Sequence, residues 1–563
     1  MEENTSKNVE GIGEPNVNPD PLDEVHRPGY RHLTQLIEHI AAHDADRTWA
    51  AMPLDDKNLS LGFRDISFGQ FANAVKHCAH WLADKLPKSK QPFETVAYTG
   101  KKDVRYPIIA MALARLERKL LMASPSTTVA AQAHLAGVLD VRCFLHSEGY
   151  GGTVEQVATQ SGCEASILKV PEVEWFLREE RAAEYSWKRS WEEARHMPWL
   201  VLHTGGTTGM PKPIIYTHQM MVSFDATELM ADAKTDSFIQ HVSGIRWYSP
   251  FPVLHVLGMY MTLQVTLVRG GIAVFGPPDD LSPQAVLDTI RYGRCQAMMS
   301  TPMDYELLVR DELGLETLRK LRYCYFGGAP LAPAVAEKLM GYTRVCPAMG
   351  STEAGMYFVQ PLDQEDWEWY KFRESNGIEF EAQGEGLHEL VFVRRGELAR
   401  WQQIFDMYPE LDVFRTGDLF TEHPRKRGLW KPVGRTDDVV IFSHGKKLNA
   451  SEREAALSAC PDVAGVVVGG TGKERPYALV EWSHPAMTDA AKMERLWPWV
   501  ERANRTCADF MRISREHVVF AVPAKPLLRN VKRSPVRKAC EVLYADEIER
   551  LYAEEDIEQA CVK

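Results

Sequence analysis

The chain has 563 residues, of which 45% are hydrophobic and 25% are charged, a balance typical of a soluble globular protein. Its formal charge of −12 argues against a nucleic-acid partner, and no apolar run approaches the roughly 20 residues that cross a bilayer, so we expect no membrane insertion. Ten cysteines occur without a Cys-x-x-Cys pair, which argues against zinc and redox motifs, fits a reducing compartment and predicts a cytoplasmic protein.

The first 28 residues are polar and acidic, and we expect them to form a disordered leader. They lack a basic segment followed by an apolar one, so the sequence predicts no secretory signal. Beyond them, helical and strand periodicities alternate. Helices are predicted at 30–43, 68–86 and 104–116, and strands at 95–98, 142–145, 295–300, 321–326 and 343–346. The alternation predicts an α/β fold, in which polar loops at strand ends bind ligands.

A domain boundary is predicted near Gly434, within the segment Gly-Arg-Thr-Asp-Asp. Downstream, strands predicted at 439–442, 463–468 and 477–482 surround helices at 450–458 and 492–507, which is the content of a small α+β unit. We therefore predict a large N-terminal domain over 29–434, with several subdomains of layered sheets and helices. A small, mobile α+β C-terminal domain is predicted over 435–563.

The most informative stretch is His203-Thr-Gly-Gly-Thr-Thr-Gly-Met-Pro-Lys212, which follows an apolar run. Its glycines let backbone N–H groups approach phosphate oxygens, its threonines add hydroxyl donors, and Lys212 adds a positive charge. Prolines flank the lysine and the order Gly-Lys-Ser/Thr is missing, so this is not a Walker A loop. Taken alone, the stretch is either a polyphosphate cradle or a glycine-rich surface turn.

Six further motifs follow this glycine loop. They are Ser249-Pro-Phe-Pro-Val-Leu-His-Val-Leu-Gly258, Tyr325-Phe-Gly-Gly-Ala-Pro330, Met349-Gly-Ser-Thr-Glu-Ala-Gly355, Phe414-Arg-Thr-Gly-Asp-Leu419, Gly434-Arg-Thr-Asp-Asp438 and Gly445-Lys-Lys-Leu-Asn-Ala-Ser-Glu452. In this order the motifs resemble the adenylate-forming superfamily of acyl- and aryl-CoA ligases, luciferases and peptide-synthetase adenylation domains. The glycine loop and 434–440 are most similar to adenylation domains of fungal nonribosomal-peptide-synthetase-like enzymes.

The resemblance implies a reaction in two halves. A carboxylate attacks the α-phosphorus of ATP and expels pyrophosphate, which gives an acyl-adenylate. A thiol, from CoA or from phosphopantetheine, then displaces AMP and forms a thioester. Charge spreads over oxygens in the first transition state, so that half needs neutralised phosphates, in-line geometry and a metal ion.

For the nucleotide, the resemblance implies that the glycine loop holds the β- and γ-phosphates, that Thr352 contacts the α-phosphate, and that Asp418 accepts hydrogen bonds from the ribose. Without the other motifs, the alternative for Asp418 is a turn residue after Thr416-Gly417. The implied nucleotide contacts are Thr204, Gly205, Gly206, Thr207, Thr208, Gly209, Lys212, Gly328, Ala329, Met349, Gly350, Ser351, Asp418 and Arg435.

For the metal, the resemblance implies Mg²⁺ placed by Glu353 with Thr208, and carboxylate oxygens suit that hard cation. Lys532 is the implied adenylation lysine, although Arg529, Arg533 and Lys538 leave open that this segment is only a basic surface. Asp437 is the implied hinge of the small domain, beside Arg435. The implied catalytic set is Lys532, His255, Glu353, Thr352, Arg435 and Asp437.

His255 discriminates between substrate classes. Amino-acid-activating relatives carry an aspartate in this region to pair with the α-ammonium, whereas Pro252-Val-Leu-His255 has no acid nearby. A buried ammonium would lack a partner here, so we expect an acid without a free α-amine: aryl, α-keto or aliphatic. The alternative is a satisfied core histidine. The implied substrate pocket comprises His255, Met259, Ser300, Gly327, Gly328 and Met349, and Met349 stands where the family commonly has an aromatic residue.

Three functional readings remain open at this point. No Gly-x-Asp-Ser-like carrier motif follows the predicted small domain, so the chain is expected to act alone with CoA or to be a stand-alone or excised module that loads a separate carrier protein. The third reading is a non-catalytic nucleotide-binding protein, against which the joint retention of Thr208, Glu353, Asp418, Arg435 and Lys532 argues.

Overall fold

The computed structural model describes residues 24–125, 127–204, 210–230, 235–384, 386–444, 446–484, 486–505, 508–529 and 535–561. Side chains are described for all of these residues except Asp437, Lys447 and 554–561. None of the helices within these ranges is long and apolar enough to cross a bilayer.

A seven-stranded sheet carries three of the seven predicted motifs at the carboxyl ends of its strands. In spatial order its strands are Arg344–Ala348, Tyr323–Gly327, Ala297–Ser300, Arg246–Tyr248, Ile272–Val274, Thr48–Pro53 and Phe63–Ser67. All neighbours run parallel except the last pair, which is antiparallel. Parallel strands lie beneath covering helices and read as continuous apolar runs, and Ala297–Ser300 is buried at every position.

A six-stranded sheet carries the glycine loop. Its strands, in spatial order, are Ser166–Lys169, Cys143–His146, Thr95–Thr99, Lys119–Met122, Pro198–Thr204 and Lys212–Thr217. The last two strands are antiparallel, and Thr204 lies opposite Lys212. The two residues that bracket the glycine loop therefore lie side by side at the edge of this sheet.

Helices surround the two sheets, and Arg105–Arg115 is buried at every position. The helices before the boundary are Leu33–His43, Phe68–Lys85, Arg105–Arg115, Val129–Val138, Gly151–Ser161, Val173–Phe176, Trp191–Ala194, His218–Val222, Phe238–Val242, Val256–Met259, Val265–Arg269, Pro283–Tyr292, Pro302–Leu308, Glu312–Arg319, Pro333–Leu339 and Ile404–Met407, with a π-helical turn at Tyr260–Gln264. The mixture of parallel sheets and helices confirms the predicted α/β class.

An antiparallel four-stranded sheet completes the large N-terminal region. Its strands are Ile378–Gly384, Leu387–Val393, Val413–Glu422 and Trp430–Arg435. Two short hairpins precede it: Gly350–Ser351 pairs with Gly355–Met356, and Val359–Gln360 pairs with Lys371–Phe372.

The C-terminal region has its own hydrophobic core, which includes Val466, Val480, Leu496 and Val500. Its strands are Val439–Ile441 paired with Lys447–Asn449, and a sheet of Val463–Gly469, Tyr477–Trp482 and Val518–Phe520. Its helices are Ala450–Ser458, Asp489–Asn504, Arg537–Leu543 and Ala545–Cys561. Strands and helices of this kind form the predicted α+β unit.

The segment before the first helix packs against the large region, although 24–28 lie in the predicted leader. Glu24 and Val25 are buried, and the Glu24 carboxylate accepts a hydrogen bond from the Trp191 N–H at 2.9 Å. Arg31 forms an ion pair with the buried Asp225. Glu24 and Val25 therefore belong to the fold, although they lie within the predicted leader, because both side chains are buried against the large region.

A cluster of aromatic rings buries two histidines. His32 is fully buried, with ring centroids 5.2 Å from Trp187, 5.2 Å from Trp191 and 4.8 Å from His218. Neither ring nitrogen of His32 has a hydrogen-bond partner in the described part of the chain. Burial lowers the pKa of His32 to about 3 and lowers the pKa of His218 well below its ordinary value. Both rings are therefore neutral at neutral pH.

We predict that His32 makes the fold acid-sensitive. The unfolded chain binds a proton at this histidine below about pH 6.5, whereas the folded chain resists protonation down to about pH 3, so stability falls as the pH falls through that window. Between about pH 7.5 and about pH 5.5, the unfolding free energy of His32→Phe should fall by about 1 kcal/mol less than that of the unsubstituted chain. Chemical unfolding at the two pH values measures this difference. The matched control is His134→Phe on an exposed helix face. An equal pH dependence in both variants would contradict the prediction.

Candidate active site

Three predicted motifs lie at the carboxyl ends of neighbouring parallel strands. The motif 249–258 follows Arg246–Tyr248, the motif 325–330 includes the end of Tyr323–Gly327, and the motif 349–355 follows Arg344–Ala348. Because these strands run parallel, the three loops meet at one edge of the seven-stranded sheet.

The glycines after Tyr323–Gly327 allow close backbone packing at this edge. A Cβ on Gly327 would lie 3.0 Å from the carbonyl oxygen of Ala348, so a side chain there would press on the next strand. Gly328 has φ +87°, a conformation that favours glycine. Gly328 and Ala329 are exposed at the sheet edge, where the sequence predicts a wall beside the nucleotide.

Thr352 and Glu353 lie at the tip of the Gly350–Met356 hairpin. The Ser351 hydroxyl accepts a hydrogen bond from the Ala354 N–H at 3.0 Å and closes the turn. A Cβ on Gly350 would lie 2.5 Å from the carbonyl oxygen of Gly355, so only glycine fits that position. The hairpin thus holds two predicted nucleotide-site residues on a short, tightly closed turn.

Tyr216 connects this hairpin to the strand that follows the glycine loop. The Tyr216 hydroxyl donates a hydrogen bond to the carbonyl oxygen of Thr352 at 2.5 Å. Tyr216 is buried in the strand Lys212–Thr217, which begins at the lysine that ends the glycine loop. One hydrogen bond therefore joins the two predicted phosphate-side elements, which come from different sheets.

Gln403 holds the same hairpin from below, and the sequence gives no signal of its role. It is 2% exposed, and its amide lies 3.4 Å from the Tyr216 hydroxyl. With the amide oxygen accepting from the Gly355 N–H at 3.0 Å, the amide nitrogen donates to the Tyr260 hydroxyl and the Met220 carbonyl, each at 2.8 Å. Gln403 therefore ties the hairpin to the helical segment that follows His255.

Asp418 and Arg435 are brought together on adjacent antiparallel strands. The two residues lie directly opposite each other, and Arg435 Nη1 donates to Asp418 Oδ1 at 2.6 Å. Arg435 Nη2 also donates to the carbonyl oxygen of Thr416 at 3.1 Å. The Arg435 side chain is half exposed, so water screens the pair and it contributes little to stability. Both groups remain near the surface, as nucleotide ligands must be.

His255 caps a short helix with its own ring. Its Nδ1 accepts a hydrogen bond from the Leu257 N–H at 3.3 Å, and the ring stacks on Phe251 with centroids 5.7 Å apart. The side chain is only partly buried. An accepting Nδ1 in a neutral imidazole leaves the proton on Nε2, which is then a donor suited to a carboxylate oxygen.

Two of the predicted pocket residues are fully buried. Met259 lies in the main hydrophobic core, because its helix turns that face towards the centre of the large region. Ser300 has no exposed surface, and its hydroxyl donates to the carboxylate of Asp304. Met349 is partly buried and lines a cavity beside the Gly350–Met356 hairpin. The walls of this cavity include Phe238, Tyr325, Cys346, Met349, Met356 and Tyr357.

Several predicted site residues lie outside the described residues. These are Gly205, Gly206, Thr207, Thr208, Gly209 and Lys532, together with the side chain of Asp437. Thr204 and Lys212 bracket the glycine loop, and Lys212 is exposed at the start of its strand.

The basic segment around Lys532 is partly internal to the C-terminal region. Arg529 pairs with Glu481, and Arg537 pairs with Glu454 at 2.5 Å and with Asp438 at 3.2 Å. These two arginines are therefore paired within the C-terminal region, Arg529 at its surface and Arg537 partly buried. Lys538 is exposed.

The junction between the two regions rests on a glycine. Gly434 has φ +148°, and a Cβ there would lie 3.0 Å from the Asn449 side-chain oxygen. Asn449 Nδ2 donates to the carbonyl oxygen of Val433 at 2.6 Å, which joins the strand Lys447–Asn449 of the C-terminal region to the last strand of the four-stranded sheet.

Glu353 fits the role of a magnesium ligand. Its carboxylate is partly exposed and makes no hydrogen bond or ion pair with any other residue that the structure describes. No group of three or more His, Cys, Asp or Glu side chains arranged for a metal occurs within the described ranges. A single carboxylate with nucleotide oxygens is the usual way in which proteins hold Mg²⁺.

The chain belongs to the AMP-binding enzyme family. The family model matches residues 45–373, and the model of an AMP-binding enzyme C-terminal domain matches residues 437–556. These matches confirm the family that the ordered motifs predict.

A fungal relative matches along most of the chain. The carboxylic acid reductase of Neurospora crassa is 29% identical over 548 residues, which cover 94% of this chain and 51% of the reductase. The chain thus spans about half the length of this relative.

Solved structures of adenylating enzymes share the fold. An anthranilate CoA ligase in complex with anthranoyl-AMP aligns with a TM-score of 0.70 at 14% identity, over 93% of this chain and 98% of that chain. ATP-bound MatB from Rhodopseudomonas palustris aligns with a TM-score of 0.67 at 18% identity, over 92% and 100%. At these identities the alignments support the fold, with both N- and C-terminal regions included.

We predict that Gln403→Leu disorders the nucleotide site. The substitution leaves the Gly355 N–H and the Tyr260 hydroxyl without their partner, at a cost of about 1–3 kcal/mol, and frees the hairpin that carries Thr352 and Glu353. ATP affinity measured by calorimetry should fall about tenfold or more.

Gln402→Leu is the matched control. Gln402 is equally buried, and its Nε2 donates to the carbonyl oxygens of Asn376 and Val393, away from the hairpin. Both variants should lose similar unfolding free energy, and only Gln403→Leu should lose ATP affinity. Equal losses of affinity would mean that Gln403 has a general packing role.

Proposed function

We propose that the chain activates a carboxylic acid lacking a free α-amine (aryl, α-keto or aliphatic) with ATP. The products of this step are an acyl-adenylate and pyrophosphate, and the acyl group then passes to a thiol of CoA or of carrier-bound phosphopantetheine. The observation that carries the proposal is the Tyr216 hydrogen bond, which ties the Thr352–Glu353 hairpin to the strand beginning at Lys212.

The chain's own residues supply orientation and charge for the first step. Lys212 and the threonines of the glycine loop bind the departing phosphates, and the Thr352 hydroxyl orients the α-phosphate. Asp418 accepts from the ribose hydroxyls, with Arg435 fixing its carboxylate. Glu353 would hold Mg²⁺, which supplies charge neutralisation to the phosphate oxygens.

His255 and Lys532 act on the acid. The Nε2–H of His255 donates to one carboxylate oxygen and leaves the other free for in-line attack. Lys532 neutralises the charge that develops on the carboxylate and the α-phosphate. An acid with an α-ammonium would bury an unpaired charge next to His255, and this supports the proposed substrate class.

The thiol acceptor separates two forms of the proposal. One form is an acid–CoA ligase, and the other is an adenylation module that loads a separate carrier protein. We place either activity in the cytoplasm, because the described cysteines are all free, as reducing conditions leave them.

Acid-dependent ATP–pyrophosphate exchange tests the proposed function. We expect exchange with aryl, α-keto or aliphatic acids and none above background with α-amino acids. Adding CoA should convert the active acid to an acyl-CoA if CoA is the acceptor. Exchange without any CoA thioester would favour the carrier protein, and absence of exchange with every acid would overturn the proposal.

We predict that Lys532→Ala separates the two half-reactions. Pyrophosphate exchange should fall by about a hundredfold or more, because the charge developing on the acid and the α-phosphate loses its partner. Thiolysis of a preformed adenylate should largely persist. Lys538→Ala, an exposed lysine in the same basic segment, is the matched control and should leave exchange unchanged. Unchanged exchange in Lys532→Ala would refute the assignment of this lysine.

A further inference from the structure

The strand Val413–Glu422 has a bulge at residues 416–418, which include Asp418. Towards the neighbouring strand Leu387–Val393, these three residues face a single residue, Leu390. Towards the last strand of the four-stranded sheet, the pairing of Asp418 is kept. A bulge leaves its extra residues outside the regular ladder and bends the strand, and bulges beside active sites re-aim side chains. The direction of the Asp418 side chain therefore depends on the groups that hold the bulge.

Glu389 holds this bulge from the neighbouring strand. Its Oε1 accepts a hydrogen bond from the Gly417 N–H at 3.2 Å. Its Oε2 accepts from Arg415 Nη1 at 3.0 Å and from Gln383 Nε2 at 3.2 Å. Glu389 is only 6% exposed, and a buried carboxylate is costly unless hydrogen bonds replace its water. Three donors supply those bonds, and one of them is the backbone of the bulge itself.

Thr416 and Gly417 complete the closure of the bulge. The Thr416 hydroxyl donates to the carbonyl oxygen of Leu390 at 2.8 Å and accepts from the Asp418 N–H at 3.0 Å. Gly417 has φ +74°, a conformation that favours glycine, and a Cβ there would lie 3.1 Å from Arg435 Nη2. The backbone on the N-terminal side of Asp418 is thus fixed at two consecutive residues.

The bulge lies close to the hairpin that carries Glu353. Leu390 belongs to the same hydrophobic cluster as Ala354 and Tyr357 of that hairpin region. Burial raises the pKa of the Tyr357 hydroxyl, and the carboxylates of Asp418 and Glu353 raise it further. Both carboxylates are therefore near one buried hydroxyl. A shift of Asp418 would consequently change its position relative to the predicted phosphate side of the site.

We propose that Glu389 is a positioning residue that gives the nucleotide site its selectivity for a ribose with both hydroxyl groups. Glu389 acts through Gly417, whose N–H fixes the bulge and with it the carboxylate of Asp418. The proposal rests on the proposed function, in which Asp418 accepts hydrogen bonds from the ribose. Hydrogen bonds weaken steeply with poor distance or angle, so a small displacement of Asp418 removes ribose recognition while phosphate binding persists.

Nucleotide affinity measured by calorimetry tests this role before the acid is identified. The probes are ATP and 2′,3′-dideoxy-ATP, which differ only in the two ribose hydroxyls. The unsubstituted chain should bind ATP at least about tenfold more tightly than the dideoxy analogue, because the analogue leaves a carboxylate without its hydroxyl donors.

Glu389→Gln should lower that ratio of affinities to about two or less, because an amide has only one accepting oxygen. The charged Arg415 takes this oxygen, so the amide NH₂ faces the Gly417 N–H and two donors oppose each other. The bulge then shifts, and Asp418 moves away from the ribose hydroxyls. Affinity for ATP should fall to near that of the dideoxy analogue, and affinity for the analogue should hardly change.

Glu381→Gln is the matched control. Glu381 pairs with the same Arg415, through Nη2 at 2.5 Å. It lies on the strand Ile378–Gly384, which Leu387–Val393 separates from the bulge. This variant should keep the ratio of affinities. An equal fall of the ratio in both variants would assign the selectivity to Arg415 and overturn the role of Glu389.

A double-mutant cycle with Asp418→Ala tests whether Glu389 acts through Asp418. In Asp418→Ala the ratio should be near one, because the ribose has lost its acceptor. Adding Glu389→Gln should then leave the ATP affinity within about twofold, since the two residues belong to one interaction. A further loss in a double variant that still unfolds cooperatively would show a general structural role and overturn the proposal.

The outcomes separate the two proposals. Selectivity for ATP that Glu389→Gln abolishes, without acid-dependent exchange, overturns the proposed function and leaves the role of Glu389 intact. Exchange together with a ratio that survives Glu389→Gln overturns the positioning role and leaves the proposed function intact. Equal affinity of the unsubstituted chain for both nucleotides overturns the positioning role together with the ribose contact of Asp418. Thermal unfolding of each variant confirms that a lost ratio reflects a folded protein.

Discussion

One buried amide holds together the parts that this fold must align. Gln403 contacts Gly355 below the nucleotide hairpin and Tyr260 in the segment that follows His255, and it lies beside Tyr216 on the strand that follows the glycine loop. These partners belong to different layers and are far apart in the chain. Their hydrogen bonds form in a dry interior, where an unmade bond is costly, so the three elements take up one mutual position.

The hydrogen bonds of Gln403 explain how loops at the edge of the sheet can form a rigid site. The loops themselves are short, and glycines at Gly350 and Gly327 remove the side chains that would separate adjacent backbones. The polar groups that fix them lie underneath, in the core of the large region. The exposed face of the site is therefore available to ligands, because the polar groups that hold the loops in place are buried beneath it.

The sequence predicted five strands of the two large sheets, where short apolar runs precede a turn, as in 321–326 and 343–346, but it predicted no strand at 246–248 or 272–274. The motifs named Asp418 and Arg435 separately, and the structure places them opposite each other on adjacent strands. The sequence could not predict Gln403, which follows another glutamine and whose partners are distant in sequence. Met259 and Ser300 were assigned to the substrate pocket because they lie near the motifs. Both are buried, Met259 in the main core and Ser300 against Asp304, and their place in a substrate pocket stays a prediction. No sequence pattern predicts that Asp236 contacts His241 or that His241 contacts Tyr325, because only the tertiary fold brings the three residues together.

The partial exposure of Asp236 has an evolutionary consequence. The cavity's shape is determined by large buried side chains, whose replacement disturbs the core. The hydrogen bonds of Tyr325 in the cavity wall, however, lead through His241 to Asp236, which reaches solvent and does not line the cavity. Surface residues tolerate substitution more readily than core residues. The hydrogen bonding behind the cavity wall can therefore change between related proteins through a single surface mutation, while the packing of the wall is inherited intact.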